Sequence, residues 1–469
     1  MSTRCLHLVL VVLVLATGGY ASSAQVQPPI DPQTLARAWD AERLPLPPAP
    51  LVRHADVMRL IEELKDGGRG MFEVEEIGRS VENRSLNHVW FGQGPMHVLL
   101  WSQMHGDEPT ATSALFDVCT YIERHRGEPQ VTRILERLTI HMVPMVNPDG
   151  AERWTRRNAQ GLDVNRDARL LQSPEARALK ALRDRLEPAL GFNLHNQNWR
   201  TSVGTPPQPA AISLLAVASD EAVTDTPQRV LAKKTAAVVR QAIEPFAQRR
   251  IGRYDETFNP RAFGDTFSRA GTGVVLIETG PWPGQDPDRA LVRINFVAIL
   301  SALDALATGA VDRVDPALYT ELPENESNLF HTIVRGGTIW PGTGVAPFKG
   351  DVGLGGTRVV REEKDGRHIQ WVSSIQELGD LRVYGALATI DAEGLVVAPK
   401  MDRAELGQEI TLPDTASDEQ TNENGSDQPE QGGRRRPFIG VGQPAELLLL
   451  EPLSTPDRYR VEQIVVVGS

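Results

Sequence analysis

The segment Leu190–His195, LGFNLH, is an apolar run that ends in a histidine. A second apolar run, Val98–Trp101, is followed closely by His105 and Glu108 in the motif HGDE. Short apolar runs are typical of buried strands, and polar side chains that follow parallel strands meet at one edge of a sheet. Two imidazoles and one carboxylate that meet there form a ligand set for a catalytic zinc ion, which leaves one coordination position open for water.

Apolar strand patterns alternate with amphipathic helical patterns through the first two thirds of the chain. This alternation predicts an α/β fold, with a mixed sheet between layers of helices, in a first domain over residues 25–311. The strand candidates are His88–Phe91, His97–Trp101, Thr139–Val143, Leu190–Leu194, Ala211–Val217 and Val274–Ile277. The helix candidates are Pro109–Arg124, Pro174–Leu186, Pro227–Phe246 and Arg289–Leu306.

The N-terminus has the pattern of a signal peptide over residues 1–24. Arg4 is its only charged side chain, Leu8–Ala16 is apolar, and Ser22–Ala24 supplies small residues for cleavage. The sequence therefore predicts a secreted or periplasmic protein, and no later segment is expected to span a membrane. The proline-rich stretch from residue 25 to about 50 is predicted to be extended, up to a helix near residues 55–65.

Charge and cysteine content exclude some classes of protein. The formal net charge of −12 argues against a general nucleic-acid binder. Cys5 would leave with the signal peptide, so Cys119 is the only other cysteine and no intrachain disulfide is expected. Because Cys119 falls within an apolar helical pattern, we expect it in the core.

Beyond residue 328 the sequence changes to short β-rich runs with many glycines. We predict a smaller β-rich accessory domain over residues 328–469. Within it, a polar stretch at about 414–436 lacks the apolar residues needed to order itself and is predicted to be a disordered insertion.

A His-x-x-Glu motif is weak evidence for a metal site by itself. His125 and Glu128 form a second copy, but they follow the polar end of a helix candidate and are predicted to lie on the surface. His105 follows an apolar strand, and Pro109 after Glu108 suits the first turn of a helix. This context favours the first copy as the metal site.

Further motifs make the pattern specific. Asn147–Gly150 reads NPDG, and Arg157–Arg166 reads RNAQGLDVNR. Glu278 ends the strand candidate Val274–Ile277 and precedes Thr279 and Gly280. In this order, from about residue 74 to 282, the chain resembles the M14 family of zinc carboxypeptidases.

The resemblance implies a role for each matching residue. His105, Glu108 and His195 would bind one zinc ion per chain. Asp163 would accept a hydrogen bond from a ligand histidine and fix its tautomer. Glu278 would be the general base.

The same resemblance assigns the substrate contacts. Arg157 would stabilise the oxyanion of the tetrahedral intermediate, with the adjacent Arg156 as an alternative that the spacing to Asn165 disfavours. Asn165 and Arg166 would bind the terminal carboxylate of a peptide, and Tyr254 is the nearest match to a mobile tyrosine of the family.

Two positions bear on the substrate. Digestive members of the family have an arginine where this chain has Asp107, which removes one charge that steers carboxylates. Asp265, upstream of Glu278, lies near the position where side-chain specificity is set in the family, and would favour basic residues.

The C-terminal part resembles the small composite β-domain of amidohydrolases, in Leu329–Ile339, Gly385–Pro399 and Ala445–Leu450. Those enzymes open their barrel with a His-x-His pair, whereas Lys400–Arg403 follows here without histidine. No second active site is expected, and the partner of this domain is not identified by the sequence.

The sequence thus predicts an exported, zinc-dependent metallocarboxypeptidase that acts on the C-termini of peptides or proteins. One alternative is a zinc amidase or deacylase that acts on acylated amino acids or cell-wall peptides. Another is a catalytically silent peptide-binding protein. The preferred residue, physiological substrate and oligomeric state are left open by the sequence.

Overall fold

The computed structural model describes residues 29–45, 51–68, 70–284, 286–364, 366–401, 403–412 and 438–467. The predicted signal peptide and the predicted insertion at about 414–436 lie outside the described residues. The helices are α1 (Pro32–Glu42), α2 (His54–Gly67), α3 (Thr110–Arg124), α4 (Pro129–Arg137), α5 (Pro148–Arg153), α6 (Pro174–Leu186), α7 (Pro227–Ile243), α8 (Phe263–Arg269), α9 (Pro287–Thr308) and α10 (Ala317–Thr320).

The first eleven strands belong to or border the first domain. They are β1 (Glu73–Arg79), β2 (Ser85–Gly92), β3 (Met96–Ser102), β4 (Leu138–Val143), β5 (Leu190–Asn196), β6 (Ser202–Val203), β7 (Gln208–Pro209), β8 (Ile212–Ala216), β9 (Ile251–Arg253), β10 (Gly273–Thr279) and β11 (Asn325–Glu326). The others are β12 (Leu329–Ile339), β13 (Phe348–Glu363), β14 (Gly366–Gly379), β15 (Gly385–Asp391), β16 (Val396–Pro399), β17 (Glu409–Thr411), β18 (Glu446–Pro452) and β19 (Arg458–Val466).

The first domain is built on an eight-stranded sheet in the order β1-β2-β4-β3-β5-β10-β8-β9. Strands β4, β3, β5 and β10 run parallel to one another in the centre of the sheet. Strands β2 and β8 join this central run antiparallel, and β1 pairs antiparallel with β2. Helices α1, α3, α4, α7 and α9 supply buried residues to one core, and α6 and α8 to another. The predicted mixed-sheet α/β/α fold, with a β-rich sheet after it, is confirmed.

The alternation of side chains along β5 decides which face the site occupies. Leu190, Phe192 and Leu194 are buried in the larger core. Since successive side chains of a strand point to opposite faces, Asn193 and His195 point to the face covered by α6 and α8. The histidine therefore ends an apolar strand without entering the larger core.

Two elements differ from the sequence predictions. The proline-rich stretch before residue 50 contains α1, which Asp31 caps by accepting from the backbone N–H of Thr34. Helix α9 is long and apolar enough to cross a membrane, which the sequence analysis did not expect of any later segment. The window Asp288–Thr308 is 89% buried within the protein, as in the core helix of a globular domain.

The predicted burial of Cys119 is confirmed, since its side chain is 0% exposed on α3. His125 and Glu128 pair with each other at the end of the same helix, where Glu128 is exposed.

The second sheet has the order β14-β13-β12-β16-β18-β19-β17, with β15 paired to β12. Its longest feature is the hairpin β13–β14, paired from Asp351 opposite Gly379 to Glu363 opposite Gly366.

The hairpin β13–β14 contacts the first domain. The indole N–H of Trp199 donates to the carbonyl of Gly356 at 3.0 Å, and Arg367 donates to the carbonyl of Glu152 at 2.5 Å. A side chain at Gly355 would place its Cβ 2.7 Å from the Trp199 ring, so the ring requires glycine there. The two domains therefore share a packed joint.

A buried aspartate ties α1 to α3. Asp117, 3% exposed, accepts from the indole N–H of Trp39 at 2.6 Å and from the backbone N–H of Leu44 at 2.9 Å. Burial outweighs these hydrogen bonds and raises the pKa of Asp117 to about 6.

We expect the stability contribution of Asp117 to fall as pH rises. An unfolded aspartate titrates near about 3.9, so between about pH 4 and 6 only the folded state holds this proton. The contribution of Asp117 to the free energy of unfolding is therefore greatest below about pH 4 and is lost towards pH 6, by roughly 3 kcal/mol. Urea unfolding of the wild type and Asp117→Asn across this range should show the variant gaining relative stability as pH rises. A difference that does not change with pH would contradict this assignment.

Candidate active site

The first domain brings the two histidines together through its parallel strands. Strands β3 and β5 are neighbours, with Ser102 opposite Leu194 near their carboxyl ends. His105 follows the end of β3, and His195 is the penultimate residue of β5. Because both strands end at the same edge of the sheet, the side chains converge there.

His105, Glu108 and His195 form a compact buried cluster. One donor atom from each lies within 4.8 Å of the others. Glu108 presents one carboxylate oxygen to each imidazole, with Oε1 at 2.8 Å from His105 Nδ1 and Oε2 at 2.7 Å from His195 Nδ1. The three residues are 2%, 7% and 2% exposed, respectively. In both rings, Nδ1 is the nitrogen that faces the Glu108 carboxylate.

This cluster fits a zinc ion by the chemistry of its donors. Two imidazole nitrogens and one carboxylate oxygen are the protein ligands of many catalytic zinc sites. Burial alone would lower the pKa of His105, but the charge of Glu108 and the hydrogen bonds to Asp163 and Glu108 outweigh it and raise this pKa to about 9. The two imidazoles likewise outweigh burial and hold the pKa of Glu108 far below its usual range. The positive charge of His105 and the negative charge of Glu108 thus stabilise each other.

Asp163 supports the far side of the first histidine. Its Oδ1 lies 3.1 Å from His105 Nε2 and also accepts from the backbone N–H of Asn165 at 3.0 Å. Burial raises the pKa of Asp163, but its hydrogen bond and charge interaction with His105 prevail and lower it. The structure therefore places Asp163 where a carboxylate can fix the tautomer of His105.

The two neighbouring arginines are placed differently from the expectation. Arg156 contacts the cluster, with Nη1 at 3.1 Å from His105 Nδ1 and Nε donating to Asp163 Oδ2 at 3.0 Å. Arg157 is exposed and donates to the carbonyl of Gly161 at 3.1 Å. The sequence analysis preferred Arg157, yet the structure brings Arg156 to the cluster. Spacing along a loop did not reveal which of two adjacent side chains points inward.

Asn165 and Arg166 lie beside the cluster on a short turn. Asn165 Nδ2 is 3.3 Å from His195 Nε2, and its Oδ1 accepts from the backbone N–H of Phe263 at 3.0 Å. Arg166 donates to the carbonyl of Asn165 at 2.8 Å and is partly buried. Asn165 thus links the second histidine to the start of α8.

Glu278 lies on the neighbouring strand at the level of the second histidine. Strands β5 and β10 pair in parallel with His195 directly opposite Glu278. The side chain is partly exposed at the site. Burial, followed by the negative charge of Glu108, raises the pKa of Glu278 to about 8. The structure therefore places a carboxylate with a raised pKa on the strand next to His195.

Tyr254 and Asp265 lie on the same side of the sheet. Burial, followed by the charge of Glu278, raises the pKa of Tyr254. Asp265 accepts from the backbone N–H of Asn259 at 2.7 Å, and burial raises its pKa to about 6 against the charge of Arg166.

One group at the site was missed by the sequence analysis, and a second, Asp107, was noted there only for its charge. The backbone N–H of Asn196 donates to Glu108 Oε2 at 3.1 Å, a contact that no side-chain pattern can reveal. Asp107, within the HGDE motif, has a buried Oδ1 that lacks a hydrogen-bond partner among the described residues. A buried carboxylate thus occupies the position where digestive members of the M14 family have arginine.

Comparison with known proteins shows that the segment carrying this cluster is similar to a known family. Residues 57–205 match the family model described as Peptidase_M14, zinc carboxypeptidase. The match includes His105, Glu108, Asp163 and His195 and ends before Glu278.

Curated relatives are similar over the same part of the chain. Mouse carboxypeptidase Z is 31% identical over 135 residues, which cover 24% of this chain and 21% of the relative. The catalytic chain of human carboxypeptidase N is 29% identical over 136 residues, covering 24% of this chain and 30% of the relative. The chain thus spans about a fifth to a third of the length of these relatives.

Among solved structures, a metallo-carboxypeptidase from Burkholderia cenocepacia is 20% identical, with a TM-score of 0.43 over 53% of this chain and 69% of that one. Similarity at this level does not bear on the details of the site. The sequence match is the decisive finding, and its range includes all three residues of the buried cluster: residues 57–205 are similar to the Peptidase_M14 family of zinc carboxypeptidases.

Proposed function

We propose that this protein is an exported zinc metallocarboxypeptidase that hydrolyses the C-terminal peptide bond of peptides. The observation that carries the proposal is the buried cluster of His105, Glu108 and His195, with Glu278 opposite His195 on the next strand. The family match over residues 57–205 supports it. The signal-peptide pattern at residues 1–24 supports export.

The three residues of the cluster would hold one zinc ion per chain. When bound, the ion would acidify a water molecule and polarise the scissile carbonyl. Glu278 would take the proton of the attacking water and deliver it to the leaving amine. Its raised pKa suits proton exchange near neutral pH better than an ordinary glutamate would.

Arg156, rather than Arg157, is assigned to the oxyanion. Its guanidinium already reaches the donor atoms of the cluster and is 43% exposed, so it borders the solvent side of the site. A fixed cation at this point stabilises negative charge that develops on the scissile carbonyl oxygen.

Asn165 and Arg166 are assigned to the terminal carboxylate of the substrate. Arg166 offers a planar guanidinium that can donate two parallel hydrogen bonds to a carboxylate. Tyr254 completes this side of the site, within electrostatic reach of Glu278 and Arg166.

A zinc amidase or deacylase is the second candidate. It is favoured by Asp107, whose carboxylate has one buried oxygen without a hydrogen-bond partner among the described residues and replaces a positive charge beside the cluster. Such an enzyme would leave ordinary peptides intact and release amino acids from acylated derivatives.

Digestion of a peptide library tests the proposal directly. We expect single C-terminal residues to be released, and a chelator to stop their release, with recovery on addition of zinc. Glu278→Gln should retain one zinc ion per chain but lose at least about 10²-fold in kcat, because it cannot accept the proton. Release of amino acids only from acylated compounds would favour the amidase, and binding without turnover would favour a silent protein.

A pair of adjacent variants tests the assignment of the oxyanion. We expect Arg156→Gln to lower kcat by about 10²–10³-fold, the usual cost of losing such a donor. Arg157→Gln is the matched control and should change kcat little, since its side chain points to the Gly161 carbonyl. The reverse order in steady-state kinetics would return the role to Arg157.

Removal of Asp163 should weaken metal binding. Partners of ligand histidines typically contribute about 10–100-fold in metal affinity, and we expect this loss in Asp163→Ala by chelator competition. Asp163→Asn should lose less, because its amide oxygen can still accept from His105. His125→Ala, in the surface copy of the motif, is the control and should bind zinc normally. Equal affinities for all three proteins would rule out the assigned contact.

A further inference from the structure

The hairpin β13–β14 has one face turned towards the first domain. Arg358 pairs with Trp371 across the hairpin, and Val360 pairs with Ile369 two residues further along. Residues two apart in a strand point to the same face, so these four side chains share it. We call them the inner face of the hairpin. The other face, with Arg361 and His368, is exposed.

The inner face is held at both sides by tryptophans of the first domain. The Trp371 ring lies 6.2 Å from the ring of Trp199. The guanidinium carbon of Arg358 lies 5.9 Å from the ring of Trp154. Because Arg358 and Trp371 are directly opposite in the hairpin, this one pair bridges the two tryptophans.

Both tryptophans border the proposed active site along the chain. Trp154 precedes Arg156, which contacts the metal-binding cluster, by two residues. Trp199 follows His195 by four residues. The backbone between His195 and Trp199 is fixed to β10, the strand of Glu278, since the N–H of Gln197 donates to the carbonyl of Thr279 at 2.8 Å. The inner face therefore contacts two segments that lead directly to residues of the site.

Part of the inner face is incompletely covered by the first domain. Arg358 is exposed, and among the described residues no carboxylate forms a salt bridge with it. Val360 and Ile369 are only half-buried although they face the first domain. Asp288, near Arg358, has its pKa raised by burial, against the opposing charge of that arginine. A cation and two aliphatic side chains on the inner face thus remain accessible to solvent.

The direction of the substrate follows from the other end of the site. Asn165, assigned with Arg166 to the terminal carboxylate, is anchored to the start of α8 by accepting from the backbone N–H of Phe263. Their assigned role would place the chain end beside α8. The part of a peptide that reaches the hairpin is then on the amino side of the scissile bond.

We propose that the inner face of the β13–β14 hairpin forms a substrate subsite, in which Arg358 binds an acidic side chain on the amino side of the scissile bond. This inference rests on the proposed carboxypeptidase function and extends it to the class of substrate. The aliphatic pair Val360 and Ile369 would contact the apolar part of the same peptide segment. The accessory domain would thereby take part in substrate selection.

Matched peptides test this subsite. Three series carry Glu, Gln or Lys at each of the three positions before the scissile bond, with an identical C-terminal residue. We expect kcat/KM at one position to favour Glu over Gln by about threefold to fivefold, the range for a partly exposed ion pair, and to disfavour Lys. The preference should shrink as ionic strength rises. In Arg358→Ala the Glu to Gln ratio should approach one, whereas Arg361→Ala on the opposite face should keep the wild-type ratio.

A binding measurement separates this proposal from the proposed function. Calorimetry with zinc-loaded Glu278→Gln protein, with and without Arg358→Ala, measures the same preference without turnover. A Glu preference that depends on Arg358 supports the subsite even if no peptide is cleaved, in which case only the peptidase assignment fails. Cleavage or binding with equal Glu and Gln values overturns the subsite and leaves the peptidase in place. Failure of every peptide to bind overturns both.

Discussion

The organisation of the site depends on one buried carboxylate shared by two imidazoles. Glu108 faces His105 with one oxygen and His195 with the other, and the backbone N–H of Asn196 holds the second oxygen. Burying a carboxylate is costly unless its charge is compensated. The two imidazoles that compensate this charge come from segments far apart in sequence. The parallel pairing of β3, β5 and β10 brings them together and so stabilises the buried carboxylate. The alternation along β5 then decides that His195, and not an apolar neighbour, faces the carboxylate.

Much of the first domain follows from local pattern. The strand candidates ending at Trp101, Val143 and Leu194 correspond to β3, β4 and β5, because strands buried on both faces are continuously apolar and easily distinguished. Helices α3 and α6 begin and end within one residue of the prediction, since proline near the first turn and polar residues at the end mark them clearly. The positions of His105, Glu108 and His195 follow from these strands together with the family resemblance.

Other features depend on tertiary contacts that local pattern does not contain. Helix α1 is short and amphipathic, and its stability comes from Trp39 packing into the core and bonding to Asp117, which is distant in sequence. The choice between Arg156 and Arg157 depends on the path of a loop rather than on residue type. Helix α9 has the composition of a membrane span because it is surrounded by protein, and a window of sequence does not show what surrounds it.

The joint between the domains has a mechanical consequence. Trp199 is seated against Gly355 and bonded to the carbonyl of Gly356, while its own loop continues directly from the strand that presents His195. Loosening of the β-rich module would release that indole and give the segment after the strand more conformational freedom. A substitution that destabilises the accessory domain would then also make the position of the His195 side chain less well defined. We therefore expect substitutions in either domain to affect both.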